Sequence, residues 1–304
     1  MQATSLSQPL AGLIGLCVML SAPAFADDSA LPAEPQAKSE ATESVQPKVD
    51  ATSKDKAAER RATILKDAKA AMDETAKALQ ALDENNSAEA LAALERATGK
   101  LELILARDPS LALAPVDVEV VTYDLLASLD TVKAMIKEAK DLLDDGEVQL
   151  ARPLVANLAS EIQLRTTSIP LASYPDAIKA VTPLIDDGKL DEAKTALQAA
   201  INNTLVVTTD DVLPLPKLRA EELLTSAEVL TENAERTEQD NETLATLLSE
   251  ARYRLKMAEV LGYGTKKSHE PLYEQLDQIE AKTEEGKGGK GWFDKIKTQL
   301  SELF

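Results

Sequence analysis

The sequence predicts a mainly α fold, an irregular multi-helix bundle of helical hairpins, and three observations predict it. Apolar residues recur at steps of three and four along most of the chain. Two Asp-Asp-Gly turns close periodic runs at points where a helical hairpin would reverse. Only three short segments are rich in β-branched residues, so any sheet is small.

At the amino terminus, residues 10–20 form an apolar run, shorter than the roughly 20 residues a bilayer-spanning helix needs. Ala22-Pro23-Ala24 and Ala24-Phe25-Ala26 then give two small-x-small patterns ahead of Asp27. The reading is a signal peptide over 1–26, a mature start at Asp27 and a periplasmic location, although no Lys or Arg precedes the run. The sole cysteine, Cys17, follows Leu16 rather than a small residue, so no lipid anchor and no stable membrane anchor are expected. The mature chain would carry no thiol for a disulfide, a nucleophile or a metal. Residues 27–55 are Ala, Pro, Asp, Glu, Ser, Thr, Lys and Gln, with Leu31, Val45 and Val49 as the branched aliphatics. Such a composition predicts a flexible tether, because it buries too little apolar surface to offset the entropy of ordering.

The helical domain is expected over 56–285. Leu65, Ala68, Met72, Ala76 and Leu79 share one helical face, as do Leu91, Leu94, Thr98, Leu101 and Leu105. Leu125, Leu129, Val132, Ile136, Ala139 and Leu143 form the clearest stripe, followed by Val148, Ala151, Val155, Leu158 and Ile162. A later pair uses Leu223, Ala227, Leu230 and Ala234, then Leu244, Leu248, Ala251, Leu255 and Ala258. Asp144-Asp145-Gly146 and Asp186-Asp187-Gly188 end their runs with a glycine able to take the left-handed closing conformation. Val148, Ala151 and Val155 sit 42 positions before Leu190, Ala193 and Leu197, which relates two hairpins. Pro153, Pro183 and the long intervening segments break any regular repeat. The stretches around Val116, Val118 and Val120, over 162–169 and over 205–213 read equally as three strands of a small sheet or as extended connectors, and 116–121 also reads as the start of the Leu125 helix. Residues 286–304 read as a glycine-rich hinge and an amphipathic helix. Its stripe of Trp292, Phe293, Ile296 and Leu300, with Leu303 and Phe304, is the candidate partner-binding surface, expected to dock on the body or on another subunit.

Charge and composition narrow the chemistry. With 33 Lys and Arg against 52 Asp and Glu, the formal charge is -19, which disfavours nucleic acid because phosphate binding needs a clustered basic surface. Aromatic residues are 3% of the chain, so stacking platforms are scarce. His269 is the single histidine, which rules out a histidine metal cluster; Ser268-His269-Glu270-Pro271 reads as a helix start capped by Ser268. The Asp-Asp-Gly turns lack the alternating acids of a calcium loop, and the glycines at 262–264 and 286–291 lack phosphate-cradling spacing and read as hinges. No metal, no cofactor and no catalytic set is expected. The candidate ligand-binding residues are Tyr123, Arg165, Thr166, Thr167 and Tyr174, where irregular segments meet helix ends.

Several longer motifs carry a family resemblance. PVDVEVVTYD at 115–124, ARPLVANLASEI at 151–162, TSIPLA at 167–172, NTLVVT at 203–208, LKMAE at 255–259, LGYG at 261–264 and the closing 288–304 resemble the YfdX family, over residues 58–304. The resemblance implies an exported, predominantly helical proteobacterial protein associated with acid stress and drug resistance, without established catalysis. It brings no agreed site residues. The function expected is therefore a periplasmic stress-response binding or interaction protein, not an enzyme. Its expected partners are a second copy of itself, another periplasmic protein or a small amphipathic ligand. A carrier of small amphipathic molecules and a hydrolase stand as alternatives, the latter requiring a pocket that converges on His269 or on a carboxylate pair.

Overall fold

The computed structural model describes residues 38–233, 235–283 and 287–302. The expected signal peptide and residues 27–37 of the expected tether lie outside them. The first described element corrects the rest of that tether: residues Glu40–Arg61 form a helix, α1. Thr42, Val45, Val49, Ser53 and Ala57 step by three and four and are all buried. Average composition hid this stripe, and tertiary packing rather than intrinsic propensity stabilises the helix. The Ser39 hydroxyl accepts from the Thr42 amide, Glu40 and Glu43 lie in the first turn, and Arg60 and Arg61 lie in the last, each placed to complement the helix dipole.

Two helices, α2 (Lys66–Asp83) and α3 (Ser87–Arg107), pack through alanines, with Ala68, Ala71, Ala78 and Ala81 against Ala90, Ala93 and Ala97 in one core. Side chains this small let two backbones approach closely. The same core takes in the short helices α6 (Tyr174–Lys179) and α7 (Thr182–Asp186), and α8 (Leu190–Thr204). A second core joins α1 to α9 (Leu215–Glu232), α10 (Glu238–Leu261), α11 (Lys266–Thr283) and α12 (Asp294–Glu302). A separate hairpin is made by α4 (Leu129–Asp144) and α5 (Val148–Ala156).

The extended segments resolve as strands. β1 (Leu113–Tyr123), β2 (Glu161–Pro170) and β3 (Val206–Pro214) form an antiparallel sheet in that order. Val118 stands opposite Thr166, Val120 opposite Leu164, and Ile162 opposite Leu213. Buried Ile162, Leu164, Thr166 and Ser168 alternate with half-buried neighbours along β2, the period expected when one sheet face is covered. At one end Ala114, Val116 and Ile169 join the first core. At the other, Ile162, Val120 and Leu213 pack with Val49 of α1 and with Leu215 and Leu218 of α9.

The mainly α bundle thus stands as expected, with local differences. The stripe expected to run from Val148 to Ile162 stops at Ala156, and Ile162 belongs to β2. Residues 116–121 are strand, and α4 starts at Leu129 behind the Ser128 cap, so Leu125 lies outside it. Gly146 and Gly188 have φ of 79° and 74°. The next amides, of Glu147 and Lys189, reach back to Leu142 and Leu184 at 2.8 Å, the long-range closing bond of a left-handed helix end. The related hairpins share this turn but not their first helices, since α4 has 16 residues and α7 has 5.

Candidate functional site

The sheet sends the predicted ligand residues to different places. Tyr123 and Arg165 lie on its outer face, where an Arg165 Nη donates to the Tyr123 hydroxyl at 2.9 Å and to the Gln163 side-chain oxygen at 2.6 Å. Thr167, two residues along β2, shares that face opposite Asp117. Thr166 points the other way, buried, its hydroxyl donating to Asp210. Tyr174 opens α6 and is fully buried in the first core; burial pushes its phenol pKa up. No single site contains all five.

The candidate partner stripe docks on the body, the first of its two expected destinations, rather than facing a partner. Phe293, Ile296 and Leu300 are buried in the second core with Trp292 packed beside them, so this chain's own α9, α10 and α11 consume the stripe. Lys297 pairs with Glu228 of α9 at 2.8 Å, and the Gly289 amide donates to the Thr231 carbonyl. Leu303 and Phe304 lie outside the described residues. Ser268 is a correction. The Thr265 amide donates to the Ser268 hydroxyl at 2.9 Å and the Ser268 amide to the Thr265 hydroxyl at 3.1 Å. The helix therefore starts a turn earlier, with Thr265 as its cap and Ser268 reciprocating. That earlier start carries His269 into the helix, where it is buried beside Tyr273 with Nδ1 3.0 Å from the Thr265 carbonyl oxygen.

A different place gathers functional chemistry. Where α1 and α9 cross the inner face of the sheet there is a cleft of about 550 Å³. Its floor is apolar, made by Ala57, Val120, Ile162 and Leu215, and Ser53 and Thr122 add hydroxyls. At one end Arg219 of α9, 2% exposed, sends Nη1 and Nη2 to the two Asp124 oxygens, both at 2.8 Å. Its Nε and Nη2 also donate to the Gln46 side-chain oxygen of α1, at 3.2 and 2.9 Å. Lys38 adds a third cationic contact to Asp124 at 2.8 Å. Burial alone would raise the Asp124 pKa, but the Arg219 guanidinium and Lys38 ammonium outweigh it and hold the carboxyl below the usual range. The forked geometry fixes the pair in orientation as well as in charge.

Local sequence explains each wall. Gln46, Asp50, Lys54 and Arg61 recur at steps of four and seven, so α1 presents them on one stripe beside buried Ser53 and Ala57. Arg60 to Asp211 at 2.6 Å and Thr42 to Glu250 at 2.9 Å pin the two ends of α1. Tyr263 accepts the Ser160 amide and donates to Glu161 at 2.6 Å, which anchors the start of β2. Asp50 accepts from Gln46 Nε2 at 2.8 Å, whereas Lys54 and Arg61 have no side-chain partner among the described residues.

The sequence reading missed Gln46, Lys54, Arg61, Asp124 and Arg219. A signal existed for Arg219, which interrupts the stripe Leu215, Arg219, Leu223 at steps of four; a charge inside an apolar stripe calls for a buried partner. Asp124 closed a quoted motif. Among the described residues no group of His, Cys, Asp and Glu is arranged to hold a metal, and no helix is long and apolar enough to cross a membrane.

Comparisons with known proteins bear on the central part of the chain. Residues 71–211 match the model of the YfdX family, described as YfdX protein. Among solved structures, a crystal form of Salmonella Typhi YfdX is similar at 14% identity over 49% of this chain and 91% of that one, with a TM-score of 0.32. No curated protein matches the chain.

Proposed function

We propose, from the match of residues 71–211 to the YfdX family model, that this is an exported, periplasmic stress-response protein of the YfdX type that binds a small amphipathic molecule between α1 and the sheet without catalysing a reaction on it. The observation that carries the reading is the cleft itself. Its volume of about 550 Å³ lies in the range of small-molecule sites, which combine an apolar lining with a few fixed polar groups. The apolar floor and the Arg219, Asp124 and Gln46 cluster supply both. The sheet wall lies inside the matched region, and α1 and α9 complete it from outside. The leader-like residues 1–26 support export, and the stress role follows the family.

Charge chemistry favours binding over hydrolysis. Asp124 is ionised and fully engaged, so it holds no proton to donate near neutral pH. Asp50 is tied to Gln46, and His269 is not among the residues that form the cleft.

The test fills the cleft. Thr122 is exposed on its wall, so Thr122→Trp takes up volume without entering a core. A thermal-shift screen of small amphipathic molecules should raise the melting temperature of the natural protein, a ligand at a hundred times its Kd adding about 2.7 kcal/mol. The Trp variant should lose the shift. Equal shifts in both proteins would move the site elsewhere. A second reading, self-association or docking to another periplasmic protein, draws support from the α4–α5 hairpin, where Leu143, Val148, Leu150 and Val155 are 47 to 60% exposed.

A further inference from the structure

The cleft's charge names its ligand class, an inference that rests on the binding reading above. Six ionisable side chains border it: Lys38, Lys54, Arg61 and Arg219 against Asp50 and Asp124, four cations to two carboxylates. In a chain of formal charge -19 this is an inversion of sign. Four other concavities of 380 to 440 Å³ carry either balanced charge or a carboxylate excess. Both cleft carboxylates are already engaged, Asp124 with Arg219 and Lys38 and Asp50 with Gln46. The surplus falls on Lys54 and Arg61, which stand two turns apart on one stripe of α1, separated by about 10 Å of helix axis. Side chains of this length converge across that distance on one anionic group, and Ala57 between them opens the way to the apolar floor. A walled concavity with a net excess of one sign focuses the field and raises the local concentration of the opposite charge.

We propose that the cleft selects amphipathic anions, a carboxylate held at the mouth by Lys54 and Arg61 with its apolar body lying on Val120, Ile162 and Leu215. Arg219 is a positioning residue. Its guanidinium makes four hydrogen bonds to Asp124 and Gln46, and it holds α1 against α9 so that the mouth keeps its shape.

Three probes of equal chain length and different head charge separate the possibilities: octanoate, octanol and octylammonium, titrated by amide NMR into the protein and into Lys54→Glu/Arg61→Glu. Both positions are exposed, and circular dichroism melts check that the variant folds. Octanoate should shift cleft amides and bind at least tenfold more tightly than octanol. The double variant should lose at least tenfold for octanoate and gain for octylammonium. Equal binding of octanoate and octanol in the cleft, or octanoate affinity unchanged in the variant, overturns the anion preference and leaves the binding reading standing. Absence of cleft shifts with all three probes overturns both.

Discussion

Arg219 decides how α1, the end of β1 and α9 meet, because one guanidinium reaches Asp124 and Gln46 at once. Removing one partner of a buried pair leaves the other desolvated and uncompensated, a larger loss than the net worth of the pair. Arg219→Met should therefore destabilise the protein by about 3 kcal/mol, the low end for such breaks because Asp124 keeps Lys38. Urea unfolding measures this. Asp124→Leu added to Arg219→Met should recover most of the loss, and an additive double variant would show that the two residues are not coupled. The site was half legible at this scale. Tyr123 and Arg165 were chosen for their residue types, but a strand sends neighbours to opposite faces. Reading the segment as an undecided connector left its parity undefined, so Thr122 facing the cleft and Tyr123 facing away could not be told apart. Arg219 was readable as a charge within an apolar stripe. Lys54 and Arg61 were not, since surface cations gain meaning only from the wall they stand beside.

At the scale of the element, the helices with strong apolar stripes were legible and their ends less so. α2, α3, α4 and α10 lie where the spacing put them. α1 was missed because Val45 and Val49 are its only branched aliphatics; each contributes roughly 1.5 to 3 kcal/mol when fully buried, a tertiary effect that averaged composition does not register. α12 was seen as an apolar stripe with two destinations, and packing selects this chain's own second core. Phe293→Ala should cost about 3 to 5 kcal/mol by leaving a cavity in that core. Truncation after Gly291 should lower the melting temperature further while the number of subunits in the assembly stays that of the intact protein. A change of assembly state on truncation would return the stripe to a partner-binding role.

For the whole molecule, pH acts in two windows. Among the described residues Glu74, Asp124, Asp211, Asp240 and Glu259 have folded pKa values below their ordinary ones, through hydrogen bonds or cationic partners that in Asp124 and Glu259 outweigh desolvation. Glu221 is raised by burial, and contributes more as pH falls. A lowered pKa means the unfolded state binds protons more tightly, so that stability is present above the unfolded values of about 3.9 to 4.3 and is lost as pH falls through the folded ones. Lowered groups outnumber the raised one, so acid should destabilise the fold only below about pH 4. Near pH 5 the ion pairs persist while the charge of -19 begins to decline, which weakens repulsion between molecules. Sedimentation and circular dichroism should show association near pH 5 with helicity intact, reduced by Leu150→Glu on the exposed α4–α5 hairpin. Loss of helicity before any association would separate acidity from assembly. The arrangement of α1 also sets a timetable. The chain emerges with residues 40–61 early, yet their partners in α9 and α10 lie beyond the whole of the first core and the sheet. Local contacts close before distant ones, because a long loop must be ordered first. The alanine-packed α2–α3 pair can consolidate while α1 still waits. The cleft then forms only after α9 has followed the first core and the sheet, so its presence reports that the longest-range contacts of α1 have closed.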